Sequence, residues 1–479
     1  MVRTRYTSVN RSTSESTSRR TNLISFTATH LSAWWYNFFV RLSPILYNQK
    51  DLVTEKTFAL RGLRVIEFTT GGSAPWIGRH LSFNGAEVIR IESQAHPDLS
   101  RLYVPPWNPS MGQQPAMSPR LWEWHSAKRH TGLNVNTPAG RDVVHHLIDI
   151  SDVVLVNLSA SVTHRWGLQY DVLRKTNAAL VMLSMPGFGM TGPYRDYVSF
   201  GATIEALSGL ATSTGYPDGD PIGSGLFHFP DWLNGMQGLI AILSALDHRR
   251  RTGQGQFIDM SQMEVMVSAF GPLLLQAALD PSAPERVGNL SHVAAPHNAY
   301  SCKGNDQWCV IGCYSNEEWV RLCNAIGRPE LGKDKRFATL KSRQANLEQI
   351  DAIMAEWTIQ RDPMDVMQTL QAAGVHGAKI YHIKELTSDP NLQAQNFFTM
   401  LPHLRRVLKP GERRLVEPPE MGEVLATGLA IDLKEMPGHV WRSGPGWGAD
   451  NRLIFRELMG LPAAQIDSLC KAGIIEGAA

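Results

Sequence analysis

The feature that most restricts this chain is the alternation that begins at Leu60: apolar runs of strand length, turn residues, then stretches of helix length. RVIEF (64–68) reads as a strand, and TTGGSAP breaks it. PWIGRHLSFNG follows, with Pro75 at a helix start and Gly85 near its end. EVIRIE (87–92) is the next strand. Thr137-Pro138 opens a second helix, which runs through His146 towards the strand VVLVN (153–157). A third unit leads from about Tyr170 into LVMLSM (180–185) and ends at the turn-rich GFGMTGP. Strands alternating with helices make a mainly parallel sheet covered on both faces, so the fold class is α/β. Ligands of such sheets sit beyond the carboxyl ends of the strands, so loops 69–75, 92–101, 157–165 and 186–200 are expected to face one crevice.

The 479 residues exceed what one core supports, which points to two or three domains. A chain that is 43% apolar and 19% charged is not disordered or fibrous. No apolar run reaches about 18 residues, so no stable membrane insertion is expected. Forty-six basic against forty-four acidic residues give no reason to invoke nucleic acid. The odd count of five cysteines argues against a disulfide framework, and the spacings of Cys302, Cys309, Cys313 and Cys323 fit no common zinc module. They and Cys470 read as buried structural thiols, and no metal is expected. Residues 1–50 hold one acid, Glu15, many Ser, Thr and Arg, and the aromatic patch AWWYNFFVRL (33–42). That composition suits an organellar transit peptide, a membrane-surface segment, or a disordered or mis-started extension over 1–54. The extension is favoured, with a cytoplasmic protein behind it.

Two stretches invite chemistry. TTGGSAPWIG sits where a phosphate-binding loop would, with Glu92 about twenty residues on. It lacks the G-x-G-x-x-G spacing, and Pro75 removes an N–H, so neither nicotinamide nor flavin is expected. In HFPDWLNGMQGLIAILSALDHRRRTGQGQ (228–256), apolar residues at helical spacing follow Asp231. Asp231 is therefore expected at or just before a helix N-terminus, where unpaired N–H groups favour its ionised form. It is either a cap or a reactive group. Gly235 and Gly238 on the first turns each cost about 1 kcal/mol against Ala, which makes sense where another backbone or a ligand comes close. The run Arg249–Arg251 reads as structural, cations at a helix end.

From about residue 60 onward the chain resembles the class III CoA-transferases (CaiB/BaiF; the formyl-CoA and carnitine-CoA transferase type). The matching stretches are LRGLRVIEF, Ala74-Pro75, LSFNGAEVIRIE, Pro97-Asp98 with Arg101, and Ala127-Lys128-Arg129. They continue through GRDVVHHLIDISDVVLVN, Trp166-Gly167-Leu168, GFGMTGPYRD, ALSGL, Asp231 with Gly235, and RRRTGQGQFIDMSQ. NEEWVRLCNAIGRPEL, AAGVHGAKI and DPNL fit the family's smaller domain. The resemblance implies a Rossmann-like large domain over 55–285, a smaller α/β domain over 290–395, and a return segment over 400–479. It implies coenzyme A thioesters as substrates, an acyl-CoA donor and a carboxylate acceptor, and Asp231 as nucleophile. Asp231 would form an acyl anhydride and then an aspartyl-CoA thioester, splitting one difficult transfer into easier steps. The family's CoA contacts fall on Gly72, Ser73, Ser93, Leu133 to Asn136, Asn157 to Ser159, and Arg165, a guanidinium suited to a CoA phosphate. Several members carry a basic residue where this chain has Ser93 and glutamine where it has Gly72, so oxyanion stabilisation would rest on backbone N–H groups. The glycine-run lid of the formyl-CoA type is missing, with AAPHNAY (294–300) near its place.

The resemblance also implies an intertwined homodimer. Its alternatives are an α-methylacyl-CoA racemase and an idle subunit paired with an active paralogue. The racemases use a histidine in a Gly-His-Asp segment about thirty residues before the aspartate, acting with it as acid and base. Here Ser199-Phe200-Gly201 stands there, with no titratable group. His228, three residues before Asp231, reads as incidental.

Overall fold

The structure is a computed structural model that describes residues 58–102, 118–225, 228–282, 286–402 and 423–477. The expected extension over 1–54, with its aromatic patch, lies outside the described residues. The first strands along the chain are β1 (Arg64–Phe68), β2 (Glu87–Glu92), β3 (Arg129–Leu133), β4 (Val153–Val156), β5 (Val181–Ser184) and β6 (Gln256–Asp259), of which β1, β2, β4 and β5 are the four expected. Then come β7 (His297–Ser301), β8 (Trp308–Gly312), β9 (His376–Ile380), β10 (Phe398–Pro402), β11 (Glu423–Thr427) and the two-residue β12 (Ile475–Glu476). The main sheet runs β12-β3-β2-β1-β4-β5-β6, parallel throughout except for β12 against β3.

Period-two alternation gives this sheet two buried faces. One carries Ile66, Phe68, Ile89, Ile91, Val154, Val156 and Met182, joined by Ile454, Phe455, Ile466 and Ile475 from the end of the chain. The other carries Val65, Val88, Val153, Leu155, Val181 and Leu183 against Ile77, Leu81 and Ile242 of two helices, Ser73–Phe83 and Phe229–Thr252. The antiparallel sheet β7-β8-β9 has a core of its own, built from Trp319, Leu322, Ile350, Met354, Val366 and Leu370 with Cys309, Cys313 and Cys323. β10 pairs antiparallel with β11 over a small core that includes Phe83 and Val440.

Two parallel strands, β3 and β6, go beyond the four apolar runs that read as strands. β3 (RHTGL) reads as polar, yet four of its five residues are buried. Its polar atoms are met by distant partners: the His130 ring lies 2.8 Å from Glu92, the His130 N–H donates to Asp450 and the Thr131 hydroxyl donates to Asn451. β6 is the sheet edge, with alternate residues exposed. All five cysteines are free thiols, and Cys470 is half-buried rather than buried. Among the described residues no single helix is long and apolar enough to cross a membrane.

Candidate active site

The helix Phe229–Thr252 begins two residues earlier than expected, which corrects the place of Asp231. His228 is the N-cap, Pro230 lies in the first turn, and Asp231 is the third helical residue, with no side-chain capping bond at this terminus. Asp231 is therefore not spent on its own helix. Gly235 and Gly238 are explained by a second backbone. A Cβ on Gly235 would lie 2.9 Å from the Trp76 ring and 3.1 Å from the Ser73 carbonyl oxygen, and one on Gly238 would lie 2.5 Å from Ile77 Cδ1. Their absence lets the helix settle onto Ser73–Phe83 and brings Asp231 to the carboxyl end of β1. At the far end Gly253 closes the helix at φ +73°. Arg249 bonds Asp152 at 2.9 Å, and Arg250 and Arg251 bond Asp247, as structural cations would.

Asp231 faces a cavity of about 440 Å³. All four expected loops contribute to it: Thr70, Gly71, Gly72 and Ser73 after β1, Leu99 and Ser100 after β2, Asn157 after β4, and Gly187, Ser199 and Phe200 after β5. Arg120, Trp124, Gly201, His228 and Gln262 complete the wall. A Cβ at Gly72 would stand 2.6 Å from Asp231 Oδ2, so the glycine lets the carboxyl lie against this loop in the orientation seen here. Both amide side chains in the wall are engaged. Asn157 clamps the loop through the Thr70 N–H at 3.0 Å and the Thr70 carbonyl at 2.7 Å, and Gln262 donates to the Met185 carbonyl. Beneath the loop, buried Asp98 accepts from Ser100 N–H at 2.6 Å and from Arg90 at 2.6 Å.

The ionisation expected of Asp231 is also corrected. Burial pushes its carboxyl up to about 6, against the opposing pull of His228 and Arg120 and with a further push from Glu205. Desolvation outweighs the helix terminus here. Nor is His228 incidental, since it lines the cavity and its Nδ1 lies 3.7 Å from Glu205. What sequence reasoning missed were Arg120, on the short helix Pro119–Trp124, and Glu205, neither of which stands in a patterned motif.

The proposed CoA contacts divide. Gly72, Ser73 and Asn157 line the cavity. Ser93 lies outside that lining and donates to the Glu476 carboxylate at 3.0 Å, which also accepts from the Gln94 N–H. Leu133 is fully buried beside β12, so it has only main-chain atoms to offer. Asn136 is exposed and accepts from Trp166 Nε1, Ser159 stands at the N-cap of the helix Ala160–Arg165 without a side-chain capping bond, and Arg165 is exposed at that helix's end. Strand order β3-β2-β1-β4 nevertheless sets the carboxyl ends that carry these residues side by side.

The sequence matches the model of CoA-transferase family III over residues 60–451. It is 32% identical over 405 residues to succinyl-CoA–D-citramalate CoA-transferase of Chloroflexus aurantiacus, covering 84% of this chain and 94% of that protein. It is 30% identical to the beta subunit of succinyl-CoA–L-malate CoA-transferase of the same organism, covering 88% and 99%. The crystal structure of a CaiB/BaiF family protein from Brucella suis superposes with a TM-score of 0.73 at 29% identity, covering 84% of this chain and all of that one. The chain belongs to CoA-transferase family III. It is thus an enzyme of the CoA-transferase class, whose substrates are CoA thioesters.

Proposed function

We propose that this enzyme moves CoA from an acyl-CoA donor to a carboxylate acceptor through covalent chemistry at Asp231. The Asp231 carboxylate attacks the thioester carbonyl, the C–S bond breaks, and CoA thiolate leaves an aspartyl–acyl anhydride. The thiolate then attacks the aspartyl carbonyl and expels the donor's carboxylate, leaving an aspartyl-CoA thioester. An acceptor carboxylate reverses both steps and departs as the new acyl-CoA, so no proton or ATP is consumed. The observation that carries this reading is the contact of the Asp231 carboxyl with Gly72 at the mouth of β1. There the carboxylate meets the part of the loop, Gly72 and Ser73, whose N–H groups are the donors proposed for a developing oxyanion, Thr70 being clamped by Asn157. The names of relatives make succinyl-CoA the first donor to test. Gly72, Ser73 and Asn157 are the CoA contacts that the cavity supports best, with Arg165 left to the outlying phosphates.

The racemase reading has less support, because Ser199-Phe200-Gly201 lines the cavity without a titratable group. A homodimer is the proposed assembly, and the two-domain division is retained with it. Free, mostly buried thiols suit the reducing cytoplasm, where CoA esters are used. Steady-state kinetics test the scheme: parallel double-reciprocal lines for donor and acceptor mark the ping-pong order, and intersecting lines contradict it.

A further inference from the structure

The loop that brings Gly72 to Asp231 is stitched down on both sides before it gets there. Asn157 takes the N–H and the carbonyl of Thr70. From the other side the Leu99 N–H donates to the Thr70 hydroxyl at 3.4 Å, and the Gly71 N–H donates to Asp98 Oδ1 at 3.4 Å. Past Gly71 the chain enters the helix Ser73–Phe83, with Gly72 as an N-cap that makes no side-chain capping bond. The N–H groups of Gly72 and Ser73 find no acceptor within the helix, and both residues line the cavity.

Asp98 is thus the last side chain to grip the loop before these two donors. It does not line the cavity itself, although its neighbours Leu99 and Ser100 do. The residue is buried, and every edge of it is held. Its N–H donates to Glu92 at 2.8 Å, its Oδ1 also accepts from the Ser100 N–H at 2.6 Å, and its Oδ2 accepts from Arg90 at 2.6 Å. His125 Nε2 stands 3.5 Å from the same Oδ2. Burial disfavours the charge, yet the Arg90 guanidinium and His125 hold the carboxyl below the usual carboxylate range, so it stays an acceptor from pH 6 to 8.5. One carboxylate joins three pieces of chain: β2 through Arg90, the turn Leu99–Leu102 through Ser100, and the loop after β1 through Gly71.

We propose that Asp98 is a positioning residue for CoA transfer: through Gly71 it fixes the turn that aims the Gly72 and Ser73 N–H groups at the carbonyl reacting over Asp231. This rests on the transferase reading given above and adds to it a group that never touches substrate. Oxyanion donors act only where they are held in place beforehand, and a displacement of about 1 Å costs about 100-fold.

The test is Asp98→Asn in the full-length enzyme. The amide keeps the shape of the carboxylate but has only one acceptor atom. With its NH2 towards Arg90 it sets donor against donor, and turned over it loses Gly71 and Ser100 instead. The reaction followed is exchange of CoA between an acyl-CoA and its own labelled acid, with succinyl-, acetyl- and formyl-CoA as probes. Rates are divided by the folded fraction from circular dichroism, which removes any effect of stability alone. The expected result is kcat lowered about 100-fold with KM for the acyl-CoA within about twofold. The ratio of wild type to variant should be the same from pH 6 to 8.5. Wild-type kcat in folded Asp98→Asn, a raised KM at unchanged kcat, or a ratio that varies with pH would each overturn the assignment. If Asp98→Asn does not fold, Thr70→Val removes the neighbouring stitch to Leu99 at nearly constant shape and should lower kcat about tenfold at unchanged KM. Wild-type kcat in that variant overturns the assignment too. Exchange is read without trapping an intermediate, so failure of Asp231 labelling leaves this test readable, and failure here leaves the Asp231 chemistry standing.

Discussion

At the scale of single residues, the site depends on what surrounds one carboxyl group. Asp231 is pushed up to about 6 by burial, and it attacks only when ionised, so kcat/KM for the donor should fall about tenfold per pH unit below pH 6. A pH profile checks this, and a flat profile down to pH 5 would contradict it. The same shift has a consequence for stability. A carboxylate whose folded value exceeds the 3.8 of the free chain is penalised in full above pH 6 and not at all below about pH 4. Asp231→Asn should therefore stabilise the protein at pH 8 by up to about 3 kcal/mol, and lose that advantage as pH falls through 6 towards 4. Thermal melts at both pH values read it. Gly72→Ala places a methyl 2.6 Å from Asp231 Oδ2, so the carboxyl must swing away. We expect about a 100-fold loss of kcat/KM with Tm nearly unchanged. Apolar spacing placed Asp231 at a helix start to within two residues, whereas its proposed role came from the family resemblance and not from the spacing. The contacts of Gly72 with Asp231 and of His228 with Glu205 were not legible in the sequence, since each joins elements far apart in the chain.

At the scale of elements, the close crossing of Ser73–Phe83 and Phe229–Thr252 holds Asp231 against the loop after β1. Gly235→Ala gains about 1 kcal/mol of helix propensity but drives a methyl to 3.1 Å from the Ser73 carbonyl oxygen. Backbone cannot retreat as a side chain can, so a net loss of about 1–3 kcal/mol in denaturant unfolding is expected, with reduced activity. Beneath the crossing, buried Lys128 bonds Glu67 at 2.9 Å and the Pro75 carbonyl at 2.7 Å, tying β1 to the start of the first helix. Burial lowers the Lys128 amine to about 8, so it is mostly charged at neutral pH. Lys128→Met leaves the buried Glu67 carboxylate without its ammonium partner, held by the Thr69 hydroxyl, and should cost about 3–5 kcal/mol. The strands β4 and β5 were legible as near-continuous apolar runs, and β1 and β2 by their Val and Ile between turn signals. β3 was hidden because its buried His130 and Thr131 are satisfied by residues far away in the chain, Glu92, Gly448, Asp450 and Asn451. No local pattern carries a pairing that crosses 320 positions.

At the scale of the whole molecule, one surface belongs against something. The helix Gly271–Leu279 buries none of its residues and exposes Leu273, Leu274, Leu275 and Leu279, and Phe229–Thr252 exposes Met236, Ile240 and Leu243. So much exposed apolar surface is costly for a lone chain at about 25 cal/mol per Å², and it supports the proposed homodimer. Sedimentation equilibrium should return twice 53.2 kDa at micromolar concentration, and a monomer would remove that proposal. The central claim is that Asp231 becomes acylated and then carries CoA. Its most direct measurement is peptide mass after brief incubation with succinyl-CoA, followed by hydroxylamine or borohydride trapping. The account predicts a mass change confined to the peptide bearing Asp231 and absent in Asp231→Asn. An unmodified peptide across a broad panel of acyl-CoAs, from protein that demonstrably binds CoA, would contradict it.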